Sequence, residues 1–264
     1  MNKRKKIGIR TLFFLSCIVF LFSGYMLLRN AVKYMAATDT YQALRTEVQS
    51  STLTVTWKGS AKNGEINEVK TVLEPLVSMD FSSLLEINPE IVAWIRIEGT
   101  NIDYPVMQTV NNIYYLTHMY NGEYNNSGSI FMDYRCNADF SDKNTVFYGH
   151  HMRNSTMFGD LEKYKSQEFY DYNPNITIFT PEGDFVIELI SGTVENGNYE
   201  FVRFDLENDD DFLSYIDELR RRSTFTSDVE VRADDQIICL CTCSYEWNNA
   251  RYMVVGRLVR LYQQ

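Results

Sequence analysis

Short runs of β-branched and aromatic residues, separated by turn residues, dominate the chain from about residue 91 onward. Eight runs stand out: VAWIRI, IDYPVMQ, GSIFMDY, NTVFYGHH, ITIFT, DFVIELISGTV, IICLCTC and RYMVVGRLVRLY. Turn material such as EGTN at residues 98–101 and PEGD at residues 181–184 lies between them. Eight short strands separated by regularly spaced turns predict a mainly β fold that closes, or nearly closes, into a barrel.

Two helices are predicted around these strands. Residues 81–88 (FSSLLEIN) read as a short helix that ends before Pro89, because proline restricts the backbone of the preceding residue. Residues 208–222 (NDDDFLSYIDELRRR) begin with acids and end with arginines, which suits the helix dipole. Their apolar stripe consists of Phe212, Leu213, Ile216 and Leu219. We therefore expect one added helix between two late strands.

The N-terminal region has a basic tip followed by an apolar run. Residues 1–10 carry five Lys or Arg and no acid, and residues 11–28 contain 18 residues without a charge. At about 1.5 Å per residue such a helix approaches the ~30 Å of a bilayer core. A cleaved signal peptide is the alternative, but its apolar region is usually about 7–15 residues long. The pattern predicts a single retained anchor with the N-terminus cytoplasmic and the rest of the chain extracellular.

The charge distribution limits the partners of the remaining chain. The chain carries −10 in total, and removing the +5 of the first ten residues leaves −15. Such an acidic body argues against a nucleic-acid partner. The expected organisation is a cytoplasmic tip at residues 1–10, a membrane anchor in contact with lipid at residues 11–28 and a stalk at residues 29–80 that contains a helix over residues 36–49. A domain large enough to be an enzyme follows at residues 81–264.

Five cysteines constrain the chemistry. Cys17 lies in the apolar run, whereas Cys136, Cys239, Cys241 and Cys243 lie in the predicted domain. The last three are spaced by two, so on a strand they point to one face and neighbours lie about 6.6 Å apart with parallel side chains. A disulfide between neighbours is unfavourable in that geometry. At least some of these thiols should be free.

A thiol and an imidazole at two strand ends suggest nucleophilic acyl transfer. Cys243 ends the run IICLCTC, and His150 follows the apolar run that ends in Tyr148-Gly149. The thiolate is the reactive species, and an imidazole is the usual proton carrier beside it. Arg251 opens the next strand at hairpin spacing, where it could donate hydrogen bonds to a developing oxyanion. The pattern alone leaves open that Cys243 and His150 are ordinary core residues.

The histidine assignment follows from scarcity and alternation. The chain has only His118, His150 and His151. Adjacent residues on a strand point to opposite faces, so only one of His150 and His151 can address Cys243. We expect His151 to line the loop or touch substrate, and His118 lies in a segment that reads as structural.

These residues also stand in a recognisable motif. The stretch Cys239-Leu240-Cys241-Thr242-Cys243 resembles the TLxTC signature of sortases, with Cys239 in place of the first threonine. Arg251 stands where the family's arginine follows, and YGH at residues 148–150 resembles the family's strand-end Gly-His. The segments NPEIVAWIRIEGTNIDYPVMQ, YYLTHMYNGEYNNSGSIFMDYR and HMRNSTMFGDLEKY are similar to class B sortases in particular. The resemblance covers residues 84–262.

The resemblance implies a sortase-type closed eight-stranded barrel and a membrane-anchored cysteine transpeptidase. Such an enzyme cleaves a C-terminal sorting signal after Thr and transfers the acyl group to an amine of a peptidoglycan precursor or cross-bridge. Cys243 would be the nucleophile, His150 the proton carrier and Arg251 the oxyanion stabiliser. Thr242 and Leu240 would contact the substrate, surface proteins bearing the signal would be partners, and neither metal nor cofactor is expected.

Three other interpretations of the residues remain. A secreted cysteine peptidase would use the same thiol and imidazole but release a free acid. The Cys-x-Cys-x-Cys face could bind a soft metal or act in redox chemistry. An anchored binding module would keep its function after Cys243→Ala.

The class B resemblance favours wall anchoring over pilus polymerisation.

Overall fold

The computed structural model describes residues 3–54, 75–206 and 208–261. The chain divides into two compact units, Met1–Gln42 and Ala43–Gln264. Helix α1 (Lys3–Val48) begins in the first unit. The predicted anchor at residues 11–28 and most of the predicted helix at 36–49 belong to this one uninterrupted helix. Among the described residues, α1 is the one helix long and apolar enough to cross a membrane, a property that signal sequences share.

The second unit starts with a small sheet and a short helix. Strands β1 (Gln49–Thr54) and β2 (Pro75–Met79) pair antiparallel, where the sequence had suggested only a stalk or arm. Residues 55–74 of that predicted arm lie outside the described residues. Helix α2 (Phe81–Ile87) confirms the predicted short helix, and Asp80 caps it by accepting hydrogen bonds from the next turn.

Eight strands form a closed barrel, which confirms the predicted mainly β fold. They are β3 (Ile91–Arg96), β4 (Asp103–Met107), β5 (Ile130–Met132), β6 (Asn144–Tyr148), β7 (Asn175–Phe179), β8 (Phe185–Asn196), β9 (Gln236–Cys243) and β10 (Ala250–Arg260). The order around the barrel is β10-β8-β7-β3-β4-β5-β6-β9. Each predicted strand run matches one of these eight strands.

Two neighbouring pairs are parallel, β4 with β5 and β6 with β9. The β6–β9 register runs from Asn144 opposite Ile237 to Tyr148 opposite Cys241. Parallel strands begin at one edge of a sheet and end at the other. The C-terminal ends of β6 and β9 therefore meet at the same rim of the barrel, although they are far apart in sequence.

Most strand residues are buried on both faces of the barrel wall, as in β9, where all six interior positions are buried. Inward side chains fill the barrel, and helix α4 (Asp209–Arg221) covers part of the outer face. Phe212, Ile216 and Leu219 of the predicted stripe are buried, and the Ser191 hydroxyl of β8 donates to the Leu219 carbonyl. This helix confirms the predicted element between two late strands. The sequence did not predict α3 (Gln167–Tyr172).

Candidate active site

Cys243 and Arg251 face each other across a hairpin. Cys243 is the last residue of β9, Arg251 is the second residue of β10, and the two are direct partners in the antiparallel register. Directly opposed residues on an antiparallel pair point their side chains to the same face of the sheet. The hairpin therefore puts the thiol and the guanidinium on one surface at the rim of the barrel.

His150 reaches this rim because the chain continues alongside β9 after β6 has ended. The Gly149 N–H donates to the Cys241 carbonyl at 3.1 Å, and the Thr242 hydroxyl donates to the Gly149 carbonyl at 2.8 Å. The next residue, His150, places Nε2 at 2.8 Å from the Leu116 carbonyl oxygen. A carbonyl only accepts, so Nε2 carries the hydrogen and Nδ1 keeps its lone pair when the ring is neutral.

Two glycines allow these side chains to approach. A Cβ on Gly149 would lie 2.7 Å from Cδ2 of Phe158, which is fully buried and has no room to move. A Cβ on Gly197 would lie 3.1 Å from Cζ of Arg251 and 2.9 Å from the Asn249 carbonyl oxygen. A side chain at either position would therefore displace the strand end before His150 or the guanidinium of Arg251.

The candidate residues share one pocket of about 300 Å³. Cys243, His150, Arg251 and Thr242 all contribute to its lining. The other lining residues are Asn112, Leu116, Phe131, Tyr148, Gly149, Gly197, Phe201 and Cys241. Leu240, which the motif suggested as a substrate contact, is fully buried in the core and is not part of this lining. Thr242 is buried too, and its hydroxyl donates a hydrogen bond to the Gly149 carbonyl.

The buried carboxylate of Asp133 organises one wall of the pocket from behind. It accepts hydrogen bonds from Arg135 at 2.8 Å, from the Asn112 amide at 2.9 Å and from the Tyr148 hydroxyl at 3.1 Å. Burial opposes its ionisation, but the hydrogen bonds from Arg135 and Asn112 outweigh this and hold its pKa below the usual value. The Arg135 guanidinium also lies 3.8 Å from the Phe204 ring centroid. This contact packs the segment after β8 against Arg135.

Arg251 has no ion-pair partner among the described residues. One of its terminal nitrogens donates to the Ala250 carbonyl at 3.0 Å. Its neighbour across β8 is Glu195, a buried acid, but Glu195 pairs with Arg222 of the α4 C-cap at 2.9 Å. The remaining donors of Arg251 are therefore available to a group in the pocket.

Burial divides the cysteines of the barrel into two classes. All of them are free thiols, and Cys243 is partly exposed in the pocket lining. Burial raises the pKa of Cys136 and Cys239 to about 12 and raises that of Cys241 well above its ordinary value. Tyr215 of α4 lies beside Cys239 and helps to cover it. Only the last cysteine of the row emerges from the wall.

The other two histidines lie outside the pocket lining. His151 turns away from the pocket, and its Nδ1 is 2.9 Å from the Cys243 carbonyl oxygen. His118 stacks on Tyr114 with ring centroids 4.0 Å apart and bonds to the Tyr114 carbonyl. Sequence reasoning did not predict the contacts of Asp133 and His151, since both depend on segments that only the register brings together.

Comparisons with known proteins show which family the chain resembles. The family model of the sortase domain matches residues 95–259. Sortase B of Staphylococcus aureus (strain NCTC 8325 / PS 47) is 36% identical over 187 residues, covering 70% of this chain and 77% of that protein. The Staphylococcus aureus sortase B–substrate complex superposes with a TM-score of 0.65 at 37% identity, covering 68% of this chain and 84% of the other. A sortase B complexed with triglycine superposes with a TM-score of 0.64 at 37% identity, covering 68% and 85%.

We predict that a small alkylating reagent modifies Cys243 well before the other cysteines of the barrel. At pH 8 the buried thiols, two of which have a pKa of about 12, stay protonated and inaccessible, and the thiolate is the species that reacts. Peptide mapping by mass spectrometry after timed iodoacetamide treatment measures the order. Modification of Cys136 or Cys239 at the same rate in the folded protein would contradict the burial described above, and denatured protein provides the control.

Proposed function

Because this chain belongs to the sortase family, and within it to class B, we propose that it is a membrane-anchored cysteine transpeptidase that cleaves a C-terminal sorting signal after threonine. The acyl group would pass to an amine of the cell wall. The observation that carries the proposal is the shared pocket of Cys243, His150 and Arg251, in which the guanidinium lacks an ion-pair partner among the described residues. Thiol, proton carrier and oxyanion donor are the groups that acyl transfer needs.

The first half of the reaction forms a thioester. The Cys243 thiol gives its proton to Nδ1 of His150 and its sulfur attacks the threonine carbonyl carbon, and the tetrahedral intermediate collapses as the C–N bond to the following residue breaks. His150 gives a proton to the departing amine. Since Nε2–H is held by the Leu116 carbonyl, Nδ1 is the nitrogen through which we propose that this proton moves. The leaving peptide departs as a free amine, and the acyl group stays on sulfur.

The second half transfers the acyl group. The acceptor amine attacks the thioester carbon, His150 accepts the proton that the amine loses, and the C–S bond breaks to regenerate the sulfur of Cys243. Arg251 donates hydrogen bonds to the carbonyl oxygen, which becomes an oxyanion in both tetrahedral intermediates. A fixed cation stabilises that oxygen more as its negative charge grows, so the contribution of Arg251 lies in the transition state.

The substrates follow from the relatives and from the pocket. One relative is described as a sortase B–substrate complex and another as sortase B complexed with triglycine. For this chain we propose surface proteins with a sorting signal as acyl donors and an amine of a peptidoglycan precursor or cross-bridge as acceptor. The function would be wall anchoring. Thr242 contributes to the pocket surface, whereas the burial of Leu240 argues against a direct contact with peptide.

The N-terminal helix supports membrane anchoring. The 18-residue window that best fits a span within α1 has a mean hydropathy of 2.0, and none of it is buried inside the protein. We propose that residues 1–10 form a cytoplasmic tip, that residues 11–28 cross the lipid, and that residues 29–80 link the anchor to an extracellular catalytic domain at residues 81–264. An extracellular barrel would meet sorting signals and wall precursors on the same side of the membrane.

The proposed reaction predicts amine-dependent ligation that requires Cys243. Protein incubated with threonine-containing sorting peptides and triglycine should release the C-terminal fragment and join the rest to the amine, as measured by mass spectrometry. Cys243→Ala should abolish both products, whereas Cys241→Ser should retain at least a partial rate because Cys241 is buried. Release of free acid without amine capture would favour a hydrolytic peptidase instead. Equal loss in both variants would point to a disulfide or metal role of the cysteines.

Replacement of Arg251 should lower kcat more than it raises KM. Loss of one oxyanion donor typically costs about 10²–10³ in rate, so we expect that range for Arg251→Ala in single-turnover acylation. Arg251→Lys keeps the charge but loses the planar fork, and it should also be impaired. The matched control is Arg221→Lys on the exposed end of α4. A defect confined to KM would assign Arg251 to peptide binding rather than to the reaction.

Membrane topology can be tested directly. The basic tip before the apolar run predicts the N-terminus inside and the barrel outside. Protease added to intact protoplasts of expressing cells should therefore degrade the catalytic domain, detected with an antibody against its C-terminus. A cytoplasmic marker protein serves as the control for lysis. Survival of the domain until the cells are lysed would refute this orientation.

A further inference from the structure

The peptide group that follows the candidate nucleophile is held from both sides. The Ser244 N–H donates to the Ala250 carbonyl at 2.9 Å, which closes the hairpin to β10. On the other side, Nδ1 of His151 lies 2.9 Å from the Cys243 carbonyl oxygen. A carbonyl cannot donate, so His151 carries its hydrogen on Nδ1. The backbone of Cys243 is therefore fixed by one main-chain bond and one side-chain bond.

The His151 contact extends the pairing of β6 with β9 beyond the last ladder position. The Gly149 N–H binds the Cys241 carbonyl, the Thr242 hydroxyl binds the Gly149 carbonyl, and the His151 ring binds the Cys243 carbonyl. These bonds alternate between the two chain segments. His150 lies between two residues of this series, so the series sets the position of its backbone relative to Cys243.

The His151 ring is itself held in place. Its side chain is only 10% exposed, its Nε2 faces the Glu162 carboxylate at 3.7 Å, and the Tyr245 ring lies 4.9 Å away between centroids. The Glu162 contact is longer than a hydrogen bond, so the Nδ1 bond to the Cys243 carbonyl and the packing against Tyr245 are what hold the ring. His151 thus has the geometry of an orienting group rather than of a loop residue.

Glu162 connects the ring to the residue after the nucleophile. One of its oxygens accepts from the Ser244 hydroxyl at 2.8 Å and from Lys165 at 2.5 Å. Lys165 also pairs with Glu246 at 2.5 Å. Glu162 therefore lies within hydrogen-bond distance of Ser244 and near the His151 ring, beside the short segment that carries Cys243.

We propose that His151 is a positioning residue that fixes the Cys243 carbonyl and thereby the separation of Cys243 from His150. The proposal rests on the transpeptidase function in so far as Cys243 and His150 perform it. In this role His151 acts through the backbone of Cys243 and not on the reacting atoms. The two adjacent histidines then have opposite tautomers, with Nε2–H on His150 and Nδ1–H on His151.

Isosteric variants test the hydrogen bond in the full-length protein in detergent. Asn and Leu have nearly the same shape, but only Asn offers an N–H close to the Nδ1 position. We expect His151→Leu to slow single-turnover acylation about 10–100-fold with little change in KM, since misplacement of a catalytic group by 1 Å can cost about 10². His151→Asn should recover most of the loss. His118→Leu, the same change at a histidine outside the pocket, should leave the rate unchanged.

Equal rates for His151→Leu and His151→Asn, or a defect only in KM, would overturn the proposal. Wild-type protein gives a second test that does not depend on a variant folding. Long-range ¹⁵N–¹H spectra near pH 8.5, where an unperturbed imidazole is neutral, should show the Nδ1–H tautomer for His151 and the Nε2–H tautomer for His150. Spectra of the His151→Asn and His118→Leu proteins assign the signals. An Nε2–H tautomer at His151 would overturn the proposal.

These results separate the two claims. Wild-type protein that transfers peptide normally while the His151 variants behave alike would remove only the positioning role. Wild-type protein that forms no acyl-enzyme with any sorting peptide would remove the proposed function. The tautomer of His151 would still decide whether the ring holds the Cys243 carbonyl.

Discussion

The parallel pairing of β6 with β9 is the constraint on which the candidate site depends. Antiparallel pairing would send the C-terminal ends of these strands to opposite rims, and His150 would lie far from Cys243. A parallel pair requires a long crossover connection. Here that connection holds α3, β7, β8 and α4, and it returns Gly197 and Phe201 to the pocket. The crossover that allows the two strand ends to meet therefore also builds a wall around them.

The position of a cysteine along β9 determines what it can do. Cys239, Cys241 and Cys243 point to one face of the strand, but the first two are buried, Cys239 beside Tyr215 of α4 and Cys241 within the pocket wall. Burial disfavours the thiolate, so these two thiols behave as small apolar side chains. Cys243 lies where the strand ends and the covering layer stops. The barrel wall thus leaves one thiol partly exposed and buries its chemically identical neighbours.

The sequence predicted the elements well because their signals are local. The eight strand runs, the helix before Pro89 and the helix of α4 each show composition and periodicity within a short window. Contacts that depend on register could not be read in this way. Asp133 looks like the end of the run GSIFMDY, and only the fold brings it to Asn112 and Tyr148. Likewise, alternation predicts that the side chains of His150 and His151 point in different directions, but nothing local indicates that the ring of His151 meets the Cys243 carbonyl.

The availability of Arg251 depends on how the nearby acids are paired. A guanidinium that already neutralises a carboxylate contributes little field to an oxyanion, and this chain is acidic overall, with a net charge of −10. Two buried acids border the site, Asp133 behind the pocket wall and Glu195 opposite Arg251 in the register. Each forms an ion pair with another arginine, Asp133 with Arg135 and Glu195 with Arg222, although Arg222 reaches only Oε2 of Glu195 and Oε1 has no hydrogen-bond partner among the described residues. Removing either of those arginines would leave a buried carboxylate without its ion-pair partner. These two ion pairs, neither of which lines the pocket, therefore leave Arg251 without a carboxylate partner among the described residues.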